Sequence, residues 1–140
     1  MQFSLSHGGD LVLVGLAETP VGVDVEAVPD EDVAADLRTR LHPAEQREIE
    51  AAEHLDEAFA RVWTRKEAYL KGTGTGLSRG LSTDYLGATG LAPLPDGWSV
   101  QDVPVHTGYA AAAAVWGPPP QTRVLELPPA VIEGDAGALG

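Results

Sequence analysis

The chain has 140 residues, a formal net charge of −12, 44% hydrophobic residues and no cysteine. That length suits one domain with a real core, the lack of cysteine excludes a disulfide framework or thiolate metal site, and the negative charge opposes non-specific binding to nucleic acid or an anionic membrane. No apolar run could span a bilayer and the first ten residues lack the basic-then-apolar order of a signal peptide, so the expected location is cytoplasmic.

Residues 2–6 and 10–17 alternate or run apolar on either side of His7-Gly8-Gly9, which predicts a β-hairpin. A third strand follows over 21–25. In Gly22-Val23-Asp24-Val25-Glu26 the two acids share one strand face and the valines the other. The plainer reading of such a face is solvation; the functional one is a pair of hard oxygen ligands for Mg2+, which takes one or two protein carboxylates and completes its shell with water and phosphate. Between 30 and 52, Val33, Leu37, Leu41 and Ile49 step at helical spacing and predict two helices broken near Pro43, with Glu45 in a first turn where the helix dipole favours a carboxylate.

A longer helix is expected from about Asp56 to Lys71. Phe59, Trp63, Glu67 and Lys71 lie four apart and share one face, aromatic at its start and charged at its end. The chain has only two lysines, Lys66 and Lys71, and both are in this helix. Gly72, Gly74 and Gly76 then stop it and offer a backbone that can approach a ligand; because this loop closes a helix rather than opening one, it is not a dinucleotide fingerprint. Five of the nine basic residues, Arg61, Arg65, Lys66, Lys71 and Arg79, fall in this window, where an anionic ligand could be received. Strands are expected over 81–86, 98–105 and 109–116, the last buried on both faces despite its alanines. The Pro-rich and then Gly/Ala-rich tail, 118–140, is expected to be peripheral and disordered towards Gly140, so the domain is placed at 1–117.

Taken together, G-V-D-V-E at 22–26, W-T-R-K-E-A-Y-L-K at 63–71 and G-T-G-L at 74–77, with F-S-L-S-H at 3–7 and H-P-A-E at 42–45, resemble the phosphopantetheinyl transferases, specifically the second half of the surfactin-synthetase-type subgroup. The resemblance implies an α+β fold in which an antiparallel sheet of about five strands packs on helices, one half of a pseudo-dimer like holo-acyl-carrier-protein synthase. It further implies an enzyme that transfers the phosphopantetheine arm of coenzyme A to a serine of an apo acyl or peptidyl carrier protein, requires Mg2+ and releases adenosine 3',5'-bisphosphate. Carried over by position, Asp24, Glu26 and Glu67 would be the metal-side carboxylates. Glu67 and Lys71 would be the catalytic pair, Glu67 either as general base or as metal ligand. Ser6, His7, Lys66 and Lys71 would face coenzyme A. The chemistry is consistent with these residue types, since displacement at a pyrophosphate needs charge neutralisation and a base but no nucleophilic side chain. No G-x-S-x-G elbow supports a serine-hydrolase alternative.

The surfactin-type enzymes are about two such domains long, and nothing in this chain corresponds to their first half, which supplies basic residues for coenzyme A. Two further readings follow: a non-catalytic half or assembly subunit that needs a partner, and, last in rank, a plain acidic scaffold. An apolar surface at Leu5, Leu11, Leu13 and Leu16 favours association, and a homo-oligomer is expected, a dimer before a trimer, with the ligand site at or near the interface.

Overall fold

A computed structural model describes residues 1–127. The hairpin is formed by β1 (Gln2–Gly8) and β2 (Leu11–Ala17), paired antiparallel from Gln2 with Ala17 to Gly8 with Leu11. His7 therefore lies within β1, and the turn is Gly9-Asp10. Strand β3 (Val21–Ala27) follows, then α1 (Glu31–Arg38), α2 (Pro43–Glu50), α3 (Leu55–Thr73), a single 3-10 turn at Gly76–Ser78, β4 (Trp98–Asp102) and β5 (Tyr109–Trp116). All five strands are antiparallel to their neighbours. They divide into two sheets, β1-β2 and β3-β5-β4.

What joins the sheets is side chain rather than backbone. Strand β3 is an edge of its sheet, and its outward N–H groups at Val23 and Val25 donate to the hydroxyls of Ser4 and Ser6 of β1, at 3.0 and 3.1 Å. Both serines are buried, while Phe3 and Leu5, which alternate with them, point outward. Two unpaired N–H groups are thus satisfied without a ladder.

The three-stranded sheet has a helix on one face and the hairpin on the other. Ala112 and Ala114 of β5 meet Ala68, Tyr69 and Leu70 of α3; Ala111 and Ala113 turn to the opposite side with Val25, Val103, Leu11 and Leu13. An alanine run suits a central strand pressed from both sides, because larger residues would hold the layers apart. A third cluster, Ala34, Leu41, Ile49, Phe59 and Val62, docks α1 and α2 on the first half of α3.

Residues 81–86 do not form the expected strand. Their backbone groups are taken by charged side chains from α2 and α3. Lys66 donates to the Leu81 and Asp84 carbonyls, Arg65 to those of Leu86 and Gly87, and Glu45 accepts from Leu86 N–H. Glu48 goes on to bind the N–H groups of Ala88 and Thr89 and the hydroxyls of Tyr85 and Thr89. A segment satisfied in this way has no need of a neighbouring strand. Strand β4 also ends earlier than expected, at Asp102. Residues 118–127 contain no helix or strand and run beside β4, where Gln101 donates to Thr122 at 3.0 Å; the expectation for 128–140 lies outside the described residues.

Candidate active site

Gly22, Asp24 and Glu26 pair with Ala114, Ala112 and Ala110, on the sheet face that α3 covers. A side chain at Gly22 would place its first carbon 1.9 Å from the Ala68 carbonyl oxygen, and one at Gly72 would meet the Trp98 ring at 2.8 Å and Gly22 N at 3.2 Å. Strand and helix therefore touch backbone to backbone at this crossing. That contact sets Glu67 and Lys71, one turn apart on α3, beside the two acids that follow Gly22.

Lys71 Nζ lies 3.2 Å from Asp24 Oδ1 and donates to the Val23 carbonyl at 3.1 Å. Ser6 donates to the same Asp24 oxygen at 3.1 Å. Asp24 is 3% exposed, and its second oxygen, Oδ2, is buried without a hydrogen-bond partner. Burial raises the Glu26 carboxyl to about 7, helped by the Asp24 charge, by a hydrogen bond that only the protonated acid can give to Asp24, and by Glu67, and opposed by Lys71; with Glu26 ionised, Oδ2 has no donor. Burial likewise raises Glu67, with Asp24 adding to the effect and Lys71 opposing it. Three carboxyl groups against one ammonium leave excess negative charge in a partly desolvated place, the environment that a further cation would relieve.

The donor set fits Mg2+ to that extent: hard oxygens, one of them bare. The three carboxylates do not by themselves close a cage of three ligands, and no group of three or more His, Asp or Glu does so among the described residues. Mg2+ does not need one, since water and phosphate oxygens normally fill most of its octahedron.

The other expected site residues fare differently. Lys66 is removed from the set facing coenzyme A: it is 1% exposed and paired at 2.9 Å with Glu45, itself 0% exposed, so no ligand reaches its ammonium. Glu45 is accordingly more than a first-turn carboxylate, although it also accepts from His42 N–H at 2.9 Å as part of the α2 cap. Ser6 has given its only proton to Asp24. His7 is exposed and stands opposite Val12 on the outer hairpin face, away from the side on which Ser6 meets Asp24. Phe59 and Trp63 stack at 5.4 Å between ring centroids and belong to the α1-α2 cluster, so the face they share with Glu67 and Lys71 is half core and half site.

The basic window is not a common anion-binding patch. Arg61 and Arg65 reach Asp102 at 2.6 and 3.2 Å, Arg79 reaches Asp84 at 2.5 Å, and the two lysines are paired as described. Gly74 ends α3 in the left-handed conformation, φ 73°, but a side chain there or at Gly76 would meet nothing within 4 Å. Where β3 meets α3, the glycines that permit close approach are instead Gly22 and Gly72. Sequence reading missed the packing role of Gly22, Ser4 and the bond from Ser6 to Asp24. A signal existed in β1, where small polar residues alternate with large apolar ones, a pattern that names two faces without saying which is inside.

An α3 helix in backbone contact with an antiparallel sheet, holding a Glu and a Lys over two strand acids, defines an α+β protein with a partly buried acidic centre. Residues 20–112 match the family model of the 4'-phosphopantetheinyl transferase superfamily, and the chain belongs to that superfamily. It is 37% identical over 84 residues to 4'-phosphopantetheinyl transferase psf-1 of Bacillus pumilus, which covers 58% of this chain and 35% of that protein. It is 34% identical over 124 residues to 4'-phosphopantetheinyl transferase AcpT of Salmonella typhi, covering 86% and 59%. Among solved structures it resembles holo-[acyl-carrier-protein] synthase of Thermotoga maritima, with a TM-score of 0.54 and 28% identity over 71% of this chain and 63% of that one. The chain thus spans only about a third to three-fifths of the two curated relatives.

Proposed function

We propose that this chain transfers the phosphopantetheine arm of coenzyme A to a serine of an apo acyl or peptidyl carrier protein. The observation that carries this reading is the bare Asp24 Oδ2 among Glu26, Glu67 and Lys71. In the reaction the carrier hydroxyl attacks the phosphorus that bears pantetheine, the bond from that phosphorus to the bridging pyrophosphate oxygen breaks, and adenosine 3',5'-bisphosphate leaves. Mg2+, held by Asp24 with Glu26 or Glu67, would neutralise the pyrophosphate when bound. Lys71 has two of its three donors on Val23 and Asp24, which leaves one for a phosphate oxygen. Glu67, its carboxyl raised by burial, suits removal of the serine proton; His7, which faces away from Asp24, is assigned to coenzyme A from the family pattern alone. Residues 1–117 form the domain in this reading.

Mixing the chain with Mg2+, coenzyme A and an apo carrier, and weighing the carrier intact, tests the reading. The parent should add the arm, and Asp24→Ala should add none while remaining folded by circular dichroism. Asp24 is not the surface acid its sequence context implies, but its removal relieves repulsion on Glu26 and Glu67. An unmodified carrier with the parent, or full modification by Asp24→Ala, would refute the assignment.

The competing reading is a non-catalytic half that needs a partner. Its support is the short span relative to the relatives and a bare apolar face: Phe3, Leu5, Val12, Val14 and Leu16 are all exposed on the outer side of the hairpin, Phe3 at 73%. Leu11 and Leu13 do not join them, because strand alternation turns these two towards Val25 and Val103. A face of this kind favours a second copy, and sedimentation equilibrium should give a dimer before a trimer. A monomer that modifies the carrier would show that one half suffices; an inactive monomer would favour the partner reading.

A further inference from the structure

Ser6 stands at a junction that neither the fold nor the proposed chemistry requires by itself. Its hydroxyl oxygen accepts the Val25 N–H at 3.1 Å and its proton goes to Asp24 Oδ1 at 3.1 Å. Ser4, two residues earlier on the same face of β1, performs the first task for Val23 at 3.0 Å and makes no hydrogen bond to Asp24. The pair is a comparison built into the chain: both serines cap the β3 edge, and only one continues to a carboxylate.

Lys71 and Ser6 both bind Asp24 Oδ1, approaching it from α3 and from β1. Held from two elements, the carboxylate has one satisfied oxygen and one bare oxygen, Oδ2, buried and unpartnered. Without the Ser6 proton the group could rotate and give either oxygen to Lys71, and a carboxylate free to do so is a poorer ligand than one already fixed.

We propose that Ser6 is a positioning residue that fixes Asp24 with Oδ2 presented to a divalent cation, and is not a contact for coenzyme A. This rests on the metal-side role given to Asp24 above. It also accounts for the placement of Ser6: a buried hydroxyl with its one proton already donated is badly suited to a phosphate, which offers only acceptors.

Mn2+ titrated into the parent, Ser4→Ala, Ser6→Ala, Ser6→Thr and Asp24→Ala chains at saturating coenzyme A, with free ion followed by electron paramagnetic resonance, separates the possibilities. Ser6→Ala should weaken Mn2+ binding by about tenfold or more, as loss of a partner behind a metal ligand commonly does. Ser6→Thr, which keeps the hydroxyl, should restore it, Ser4→Ala should bind as the parent does, and coenzyme A affinity measured without metal should be unchanged in Ser6→Ala. Equal Mn2+ binding by Ser4→Ala and Ser6→Ala, with binding lost in Asp24→Ala, would overturn the positioning role and leave the metal reading standing. Parent and Asp24→Ala binding Mn2+ alike would overturn both. A Ser6→Ala chain that loses coenzyme A affinity without metal while keeping its Mn2+ affinity would make Ser6 a ligand contact after all.

Discussion

Lys66→Met is expected to lose about 3 to 5 kcal/mol of stability in urea denaturation, the range for removing one partner of a buried ion pair. Lys66 and Glu45 are both almost fully buried. Burial lowers the Lys66 ammonium and raises the Glu45 carboxyl, and each charge opposes the shift of the other. Once Lys66 is gone, Glu45 has no countercharge and the Leu81 and Asp84 carbonyls lose their donor, so residues 81–84 lose their hydrogen bonds to α3 while Arg65 keeps those at Leu86 and Gly87. Adding Glu45→Gln should recover much of the loss, because a neutral amide can still accept the Leu86 N–H that Glu45 holds at 2.8 Å. Lys71→Met, on the same helix but with its side chain 36% exposed, should lose clearly less than Lys66→Met, because the carboxyls it leaves behind, Glu26 and Glu67, are already raised and can take up a proton. Equal losses from the two lysines would contradict the burial of Lys66. The difference also separates structure from chemistry, since only Lys71 stands where a ligand could meet it.

Gly22→Ala is the second large effect. The backbone at Gly22 is one that alanine can adopt, so the obstacle is space alone: the new carbon would sit 1.9 Å from the Ala68 carbonyl oxygen and 2.5 Å from Gly72 N. Both are backbone atoms of α3 and cannot swing aside as a side chain would. Helix and strand must separate, at a cost of about 3 kcal/mol, and the Lys71 ammonium should leave Asp24 as they do. Denaturation and carrier modification should therefore fall together. A Gly22→Ala chain with parental stability and activity would show that β3 and α3 do not pack at backbone contact. Gly74→Ala, where no atom lies within 4 Å, should cost about 1 kcal/mol, chiefly through its left-handed backbone.

Much of the architecture was legible in the residue pattern. Alternation in β1 and the apolar run of β2, Pro43 opening α2, the four-residue steps of α3 and its glycine stop are local signals, and local chemistry decides helices and turns. The acids at 24 and 26 and the Glu and Lys at 67 and 71 could likewise be paired with one another, because a strand period of 2 and a helix period of 3.6 each place two charges on one face. The segment 81–86 was misread because its apolar residues suit a strand, while the groups that satisfy its backbone come from Arg65, Lys66 and Glu45, distant in the chain and invisible to any local window.

By itself the sequence determined the hairpin, β3, the three helices and β5, the face on which each acid and each lysine lies, and a family pattern that named the candidate site. The tertiary structure alone decided which of those charges is buried. It took Lys66 out of the site by closing Glu45 over it, turned the Ser6 proton towards Asp24, and left Oδ2 bare. The physical reason is that a charge has no function until its surroundings are known: Lys66 and Lys71 carry the same group on one helix, and only the approach of α2 to one and of β3 to the other makes the first a clamp and the second a candidate catalyst.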